Sequence, residues 1–464
     1  MATPGQFWSL VRESLRGSRP DLTAIPLGRA ILLLAVPMVL EMGMESIFAV
    51  ADIFWVSKLG PDATATVGLT ESLMVIVYAL AMGLCMGGAA VVARRIGQKD
   101  PDGAARATVQ MIILGVTLSA LVAVVGATQA PRLLRLMGAA PETIAVGQSF
   151  TTLMLGGCVT VVLLFMMNAA FRGAGDAAIS MRTLILANSI NIVLGPFLIF
   201  GWGPFPRLGV IGAAVATTFG RGVGVLYQLR ALRAGRGHLA VRRHHLRLDA
   251  DILRTIARIS SSGVVQSLIG TTSWVGLVKI LSAFGSVALA GYTITVRIVL
   301  FALLPCWGMS NAAATLVGQN LGAHRPERAE SAVWRAAWYN FIFLGGIGLL
   351  FFIFSHPIVG VFSPDVRVVE IGARGLRVVS LGFLFYGYGM VMTQAFNGAG
   401  DTRTPTLINL FCFWFWEIPL AYILAGPLGF GPTGVFTAIT VAFSTMAVVA
   451  VLLFRRGTWK RVKV

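Results

Sequence analysis

The chain has 464 residues, of which 56% are hydrophobic and only 12% charged, with a mean hydropathy of +0.80. So few charges over such a length exclude a water-soluble globular protein, whose domains carry roughly 25% charged residues, and place the chain in a bilayer. The formal net charge of +18 invites a nucleic-acid reading, but Lys and Arg gather in alternate connecting segments, the asymmetry that orients a multi-spanning protein, so no nucleic-acid partner is expected.

A polar segment, residues 1–29, comes first and is expected to be cytoplasmic. Apolar stretches able to cross a hydrocarbon core of roughly 30 Å follow at about 30–56, 65–90, 107–127, 143–167, 180–201 and 209–229. The first is too long for a cleaved signal and is expected to be retained. Residues 230–258 are charged and Gly-containing and read as a linker on the inner face, with an interfacial helix compatible with their composition. A second set of apolar stretches lies at about 259–282, 286–316, 332–354, 368–394, 405–425 and 434–454, and a basic tail, 455–464, closes the chain. The expectation is an all-α integral membrane protein with twelve spans, both termini cytoplasmic. Cys85, Cys158, Cys306 and Cys412 each fall inside a span without metal-site spacing, and read as small apolar residues. His244 and His245 lie in the Arg-rich linker and read as solvated.

The two sets of spans repeat one another. "AAFRGAGD", ending at Asp176, returns as "QAFNGAGD", ending at Asp401, 225 positions later (401 minus 176). At the same offset Gly60 meets Gly285, Gly97 meets Gly322 and Pro101 meets Pro326. Six spans per unit bring both units into the membrane from the same side, so the fold predicted is two parallel-repeat six-helix lobes, residues 30–229 and 259–454. The repeated phrase lacks the strand-before, helix-after context of a phosphate-binding loop. It reads instead as a tight inner turn, with Asp176 and Asp401 near the start of the next helix, where a carboxylate suits the dipole.

Carboxylates inside a span are costly and mark function by default. Glu41, Glu45 and Asp52 share the first span, and their spacing sets them within roughly 40° of one another along a stripe about 16 Å long. Glu71 on the second span falls near the depth of Asp52. The equivalent positions in the second lobe hold Gln266, Gly270, Leu277 and Val296, so the fold can be built without these acids. Cationic partners available on other spans are Lys279, Arg297 and Arg221. Glu417, in "FCFWFWEIPLAY", is the second lobe's strong acidic candidate, its aromatic neighbours either lining a substrate path or facing lipid. No metal-ligand cluster, nucleophile motif or ATP site is evident, so no enzyme activity is expected.

"AVPMVL" from Ala35, "VADIFWVSKLGPDATATVGL" from Val50, "GGAAVVARRIGQKDPDGAA" from Gly87, "FRGAGD" from Phe171, "LGVIGAAVAT" from Leu208 and "AATLVGQNLGA" from Ala313 resemble recurrent stretches of the multidrug and toxic compound extrusion (MATE) transporters, and the likeness covers nearly the whole chain. The resemblance implies a secondary active exporter of organic, often cationic compounds, driven by protons or sodium in the plasma membrane (the inner membrane of a bacterium). Asp52 matches that family's helix 1 aspartate, an ion-coupling residue; Asn191 matches the helix 5 asparagine and Thr217 the threonine that joins them. Glu41, Glu45 and Glu71 are grouped with these as ion-coupling candidates. Some members carry an acid four residues after that asparagine, where this chain has Gly195, and helix 7 has Gln266 but no acid. A sodium site at Asp52 and Asn191 would lack a ligand, so H+ is preferred to Na+ as coupling ion, and no other metal and no cofactor are expected. Candidates for substrate contact are Gln266, Arg297, Glu417 and Trp274. The partners expected are small organic substrates and membrane lipid, the chain working as a monomer. The alternative is a flippase for a lipid-linked precursor, which would favour a basic cavity where this chain has an acidic stripe.

Overall fold

The computed structural model describes residues 4–462 and 464. Helix α1 (Pro4–Arg16) is followed by α2 (Leu27–Ser57), α3 (Pro61–Gly97), α4 (Pro101–Leu136), α5 (Pro141–Gly156), α6 (Cys158–Ala174), α7 (Ala177–Phe200) and α8 (Val210–Ala234). The second half runs α9 (Ala250–Ser282), α10 (Ser286–Gly322), α11 (Pro326–Ile353), the short α12 (Ser355–Gly360), α13 (Val366–Leu381), α14 (Phe383–Ala399) and α15 (Arg403–Asn409). A π-helical segment, Leu410–Glu417, then joins α15 to α16 (Ile418–Ala425), and α17 (Pro432–Arg455) is last. Among the described residues there is no strand.

Local chemistry sets the boundaries. Proline opens α3, α4, α5, α11 and α17, where its missing N–H is no loss. Asp100 and Asp249 cap α4 and α9 by accepting from the N–H of Gly103 (2.8 Å) and Ile252 (3.2 Å). The repeat reaches into the backbone: Gly60 and Gly285 hold φ of +108° and +87°, Gly175 and Gly400 hold +93° and +87°, and even the non-glycine pair Lys99 and His324 holds +59° and +55°. These left-handed residues turn the chain at the same places in both lobes.

Eleven helices among the described residues are long and apolar enough to cross a membrane, counting α5 with α6, and α15 through α16, as one each. The span predicted at 368–394 is the twelfth and differs from the expectation. It is broken at Gly382 into α13 and α14, and α13 carries Arg367, Glu370, Arg374 and Arg377. The matching break in the first lobe is Gly157, between α5 and α6. Pro37, by contrast, leaves α2 continuous.

The two sets of helices meet through α3 against α9 and α10 against α2. A Cβ on Gly83 would fall inside Val264, and one on Gly87 inside Ser260, so small residues four apart let α3 and α9 touch backbone to backbone. Gly308 does the same against Met38 and Val39 of α2. Every hydrogen bond joining the two sets of helices among the described residues lies on the side that carries both termini. There Arg94 Nη2 donates to the carbonyls of Ala399 (3.1 Å) and Val462 (3.0 Å), while Gln319 Nε2 donates to the carbonyl of Gly173 (2.9 Å). Arg94 and Gln319 are repeat mates, and each holds the glycine-rich turn of the opposite half. Toward the far side the interface loosens: a Cβ on Gly43 of α2 or Gly270 of α9 would meet nothing within 4 Å.

Candidate functional site

Two of the four predicted acids lie in ion pairs inside the first bundle. Glu41, at the middle of α2, is fully buried; its Oε1 accepts from Arg172 Nη1 at 2.7 Å and from Asn168 Nδ2 at 3.4 Å. Asn168 Oδ1 in turn accepts from Gln228 Nε2 at 2.6 Å, which links α6 to α8. Glu41 Oε2 has no hydrogen-bond partner among the described residues. One turn further, Glu45 Oε1 accepts from Arg221 Nη2 at 3.2 Å and Oε2 from Asn188 Nδ2 at 3.0 Å. Arg221 is buried, with the rings of Phe48 and Phe165 at 5.4 and 5.5 Å from its guanidinium carbon. A buried pair of this kind is held by its geometry, because removing one partner leaves an uncompensated charge.

Asp52 is different. It makes no hydrogen bond or ion pair among the described residues, although the charges of Glu71 and Arg221 reach it. Glu71 and Arg297 are both exposed, on α3 and α10, and act on each other's charge without direct contact. Of the three cationic partners foreseen, Arg221 pairs with Glu45, Arg297 stands off from Glu71, and Lys279 pairs with no acid among the described residues. Asn191 Nδ2 donates to Thr217 Oγ1 at 2.8 Å, both buried, and neither bonds to Asp52.

In the second bundle Glu417 is 2% exposed, without a hydrogen bond or ion pair among the described residues, and it borders a cavity of 40 Å³. Trp274, Tyr292, Thr295 and Tyr386 also line that cavity. The π-helical segment that presents Glu417 ends two residues before Pro419, whose ring lacks an N–H and crowds the carbonyl four residues back, which widens the turn. Of the other two substrate candidates, Gln266 is buried with Oε1 unpartnered among the described residues and does not line this cavity, and Arg297 is the exposed cation of α10.

Sequence reasoning missed Arg172, Asn168, Asn188 and Gln228. Among the loop residues Asp176 and Asp401 both stand at a helix start, as expected, and one reading needs correction, that of His245. Asp176 stands at the start of α7 but caps nothing; its carboxylate accepts from the backbone N–H of His238 at 2.6 Å and lies 2.8 Å from His238 Nδ1, tying the linker to the first bundle. Only Asp401 serves its own helix, accepting from the N–H (3.2 Å) and hydroxyl (2.6 Å) of Thr404. His245 is buried rather than solvated: its Nδ1 accepts from the Arg242 N–H at 3.1 Å and its Nε2 lies 3.0 Å from Asp102. The four cysteines are free and buried.

A family model described as MatE matches residues 37–197 and again 264–423. The chain is 25% identical to the probable multidrug resistance protein YoeA of Bacillus subtilis, over 93% of this chain and 94% of the relative. It is 26% identical to an FAD transporter of Shewanella oneidensis, over 94% and 96%. A solved structure described as the outward-facing conformation of a multidrug resistance MATE family transporter superposes with a TM-score of 0.87 at 26% identity, covering all of both chains. This is a multi-pass membrane protein, not an enzyme, and it belongs to the MatE family of transporters.

Proposed function

We propose that the chain is a secondary active efflux transporter that exports organic cations in exchange for protons, in a bacterial inner membrane with both termini cytoplasmic and as a monomer. The observation that carries this reading is Asp52: a carboxylate inside an apolar span, without an ion-pair partner among the described residues, next to a second carboxylate that repels its charge. Glu41 and Glu45 are already neutralised by Arg172 and Arg221 and hold the bundle together around it. Asp52 alternates between an ionised form that attracts a cationic substrate and a protonated form that lets it go. Asn191 and Thr217, bonded to each other through the Asn191 amide nitrogen, brace the neighbouring helices; H+ is preferred because a Na+ at Asp52 and Asn191 would meet Gly195 and Gln266 where acids could complete its shell. Glu71, Arg297, Glu417, Trp274 and Gln266 are placed as substrate-contacting groups, Glu71 and Arg297 because exposed charges on a span belong in a water-filled cleft and not in lipid. A one-for-one exchange of H+ for a monovalent cation moves no net charge, so the pH difference drives it, at about 1.4 kcal/mol or roughly tenfold in cargo per pH unit.

The test uses purified protein in liposomes, with a pH gradient and a sodium gradient imposed separately on a fluorescent organic cation. Transport under the pH gradient that Asp52→Asn abolishes supports the reading; transport by that variant at the wild-type rate removes the coupling role. An anionic cargo is the second reading, favoured by Arg297 on α10 and by the FAD transporter among the relatives. Flavin nucleotide moving where every cation fails would establish it, and a lipid-linked sugar moving instead would make the chain a flippase.

A further inference from the structure

On the side of the termini, away from the acids within the spans, a cavity of 290 Å³ lies between α1, α2, α7 and α8. Its volume is close to the lower bound for small-ligand pockets, roughly 300 Å³. Four arginines line it: Arg16 at the end of α1, Arg19 just after it, Arg182 on α7 and Arg236 just after α8. The one acid among the lining residues is Asp176, and His238 already occupies both of its oxygens. The site therefore holds an uncompensated positive charge.

The arginines are partly fixed. Arg182 Nη2 donates to the carbonyls of Leu15 (2.7 Å) and Arg16 (2.9 Å), clamping the end of α1 over the cavity, and Arg19 Nη2 donates to the carbonyl of Gly235 at 3.4 Å. These bonds use one nitrogen of each guanidinium, and Arg236 has no side-chain bond among the described residues. Several guanidinium groups converging on one hollow suit an anion with several oxygens, phosphate above all. Leu22, Leu33 and Ile179 add an apolar floor beside Ser14, Ser18 and Tyr227, and Leu33 and Ile179 belong to the first two turns of helices long and apolar enough to cross a membrane. Helix α1 spaces Leu10, Val11 and Leu15 along one side and Arg12 and Arg16 along the other, with Trp8 70% exposed, the composition of a helix lying in a membrane interface.

We infer that this cavity binds the phosphate of an acidic phospholipid headgroup from the leaflet on the side of the termini, with Arg16, Arg19, Arg182 and Arg236 as its cations and α1 as its roof. The apolar floor and the interfacial helix point to a lipid over a free phosphate, since a soluble anion needs neither. The site is separate from the coupling residues, so it holds or fails whatever the transported cargo.

The test measures phosphatidylglycerol kept by the purified full chain after delipidation, by native mass spectrometry, with phosphatidylcholine as comparison. A juxtamembrane arginine is worth about fivefold in affinity for anionic lipid. Arg236→Gln is expected to lower phosphatidylglycerol retention about fivefold, and Arg19→Gln with Arg236→Gln about 25-fold, both leaving the Arg182 clamp in place. Arg233→Gln removes the same charge three residues earlier, from the last turn of α8 and outside the cavity, and is expected to change nothing. Equal losses for Arg233→Gln and Arg236→Gln would overturn the site, reducing it to general surface charge. Protection against heat by millimolar inorganic phosphate, dependent on Arg236, with no preference for phosphatidylglycerol, would keep the anion site and overturn its assignment to lipid.

Discussion

The crossed hydrogen bonds between the two halves should set which side of the protein is open. Arg94 holds the Ala399 carbonyl and Gln319 holds the Gly173 carbonyl, at 3.1 and 2.9 Å. Gln319→Leu removes one neutral bond and leaves a buried carbonyl unpaired only while the interface is shut, a penalty of about 1–3 kcal/mol on the shut form. Arg94→Leu removes two bonds from a charged donor, each worth about 1.5–3 kcal/mol. Turning a 1:99 equilibrium into 99:1 takes about 5.5 kcal/mol, so the double variant should come close to inverting the population, and Gln319→Leu alone should move it about tenfold. Spin labels at Arg233 and Arg403, one on each half and both exposed on the side of the termini, report this as a longer distance by electron double resonance, in a chain freed of its four native cysteines. Arg95→Leu is the control, since among the described residues Arg95 pairs with Asp100 of its own half and with nothing in the other. Unchanged distances in the double variant would refute the idea that these bonds hold the interface shut.

Glu41→Gln strands the Arg172 charge and should cost about 3–5 kcal/mol in a detergent melt, whereas Glu41→Gln with Arg172→Asn, which copies the other half's residues, should recover most of it. The Asp176 carboxylate hydrogen-bonded to His238 raises the histidine's pKa above its ordinary value, so its contribution to linker docking is full below about pH 6.5 and is lost as pH rises through the raised value. Hydrogen-exchange protection over residues 235–249, relative to the intrinsic rate at each pH, should accordingly fall at alkaline pH, and His238→Ala should remove that fall. Gly83→Leu should block assembly by driving a side chain into Val264, and Gly43→Ala should be silent, both read by gel filtration in detergent. Glu417→Gln is expected to lower the affinity for cationic cargo and leave the fold unchanged, because no partner depends on its charge; a collapsed gel-filtration profile would show a structural role instead.

The acids were legible because hydrocarbon penalises them, and the repeat because glycine and proline recur at one offset. Arg172 was hidden by being counted as part of a loop, when it lies in the last turn of α6 and reaches back to Glu41. The repeat held the clue. Glu41 and Arg172 correspond to Gln266 and Asn397, so acid and base vanish together in the second half. The roles of Arg94 and Gln319 were not legible, since their acceptors are backbone carbonyls, which every residue carries. The break at Gly382 escaped a hydropathy window because α13 and α14 together remain apolar enough; its counterpart Gly157 was the available signal.

Where α3 rides on α9, and α10 on α2, a glycine of one helix lets the partner come close, Val264 against Gly83 and Val39 against Gly308, so each crossing is narrow. Two such bearings, set by the same residue of each repeat, Gly83 and Gly308, define an axle through the middle of the molecule. A few degrees of rotation about it become ångströms at the rims, the scale on which a transporter opens one face and closes the other.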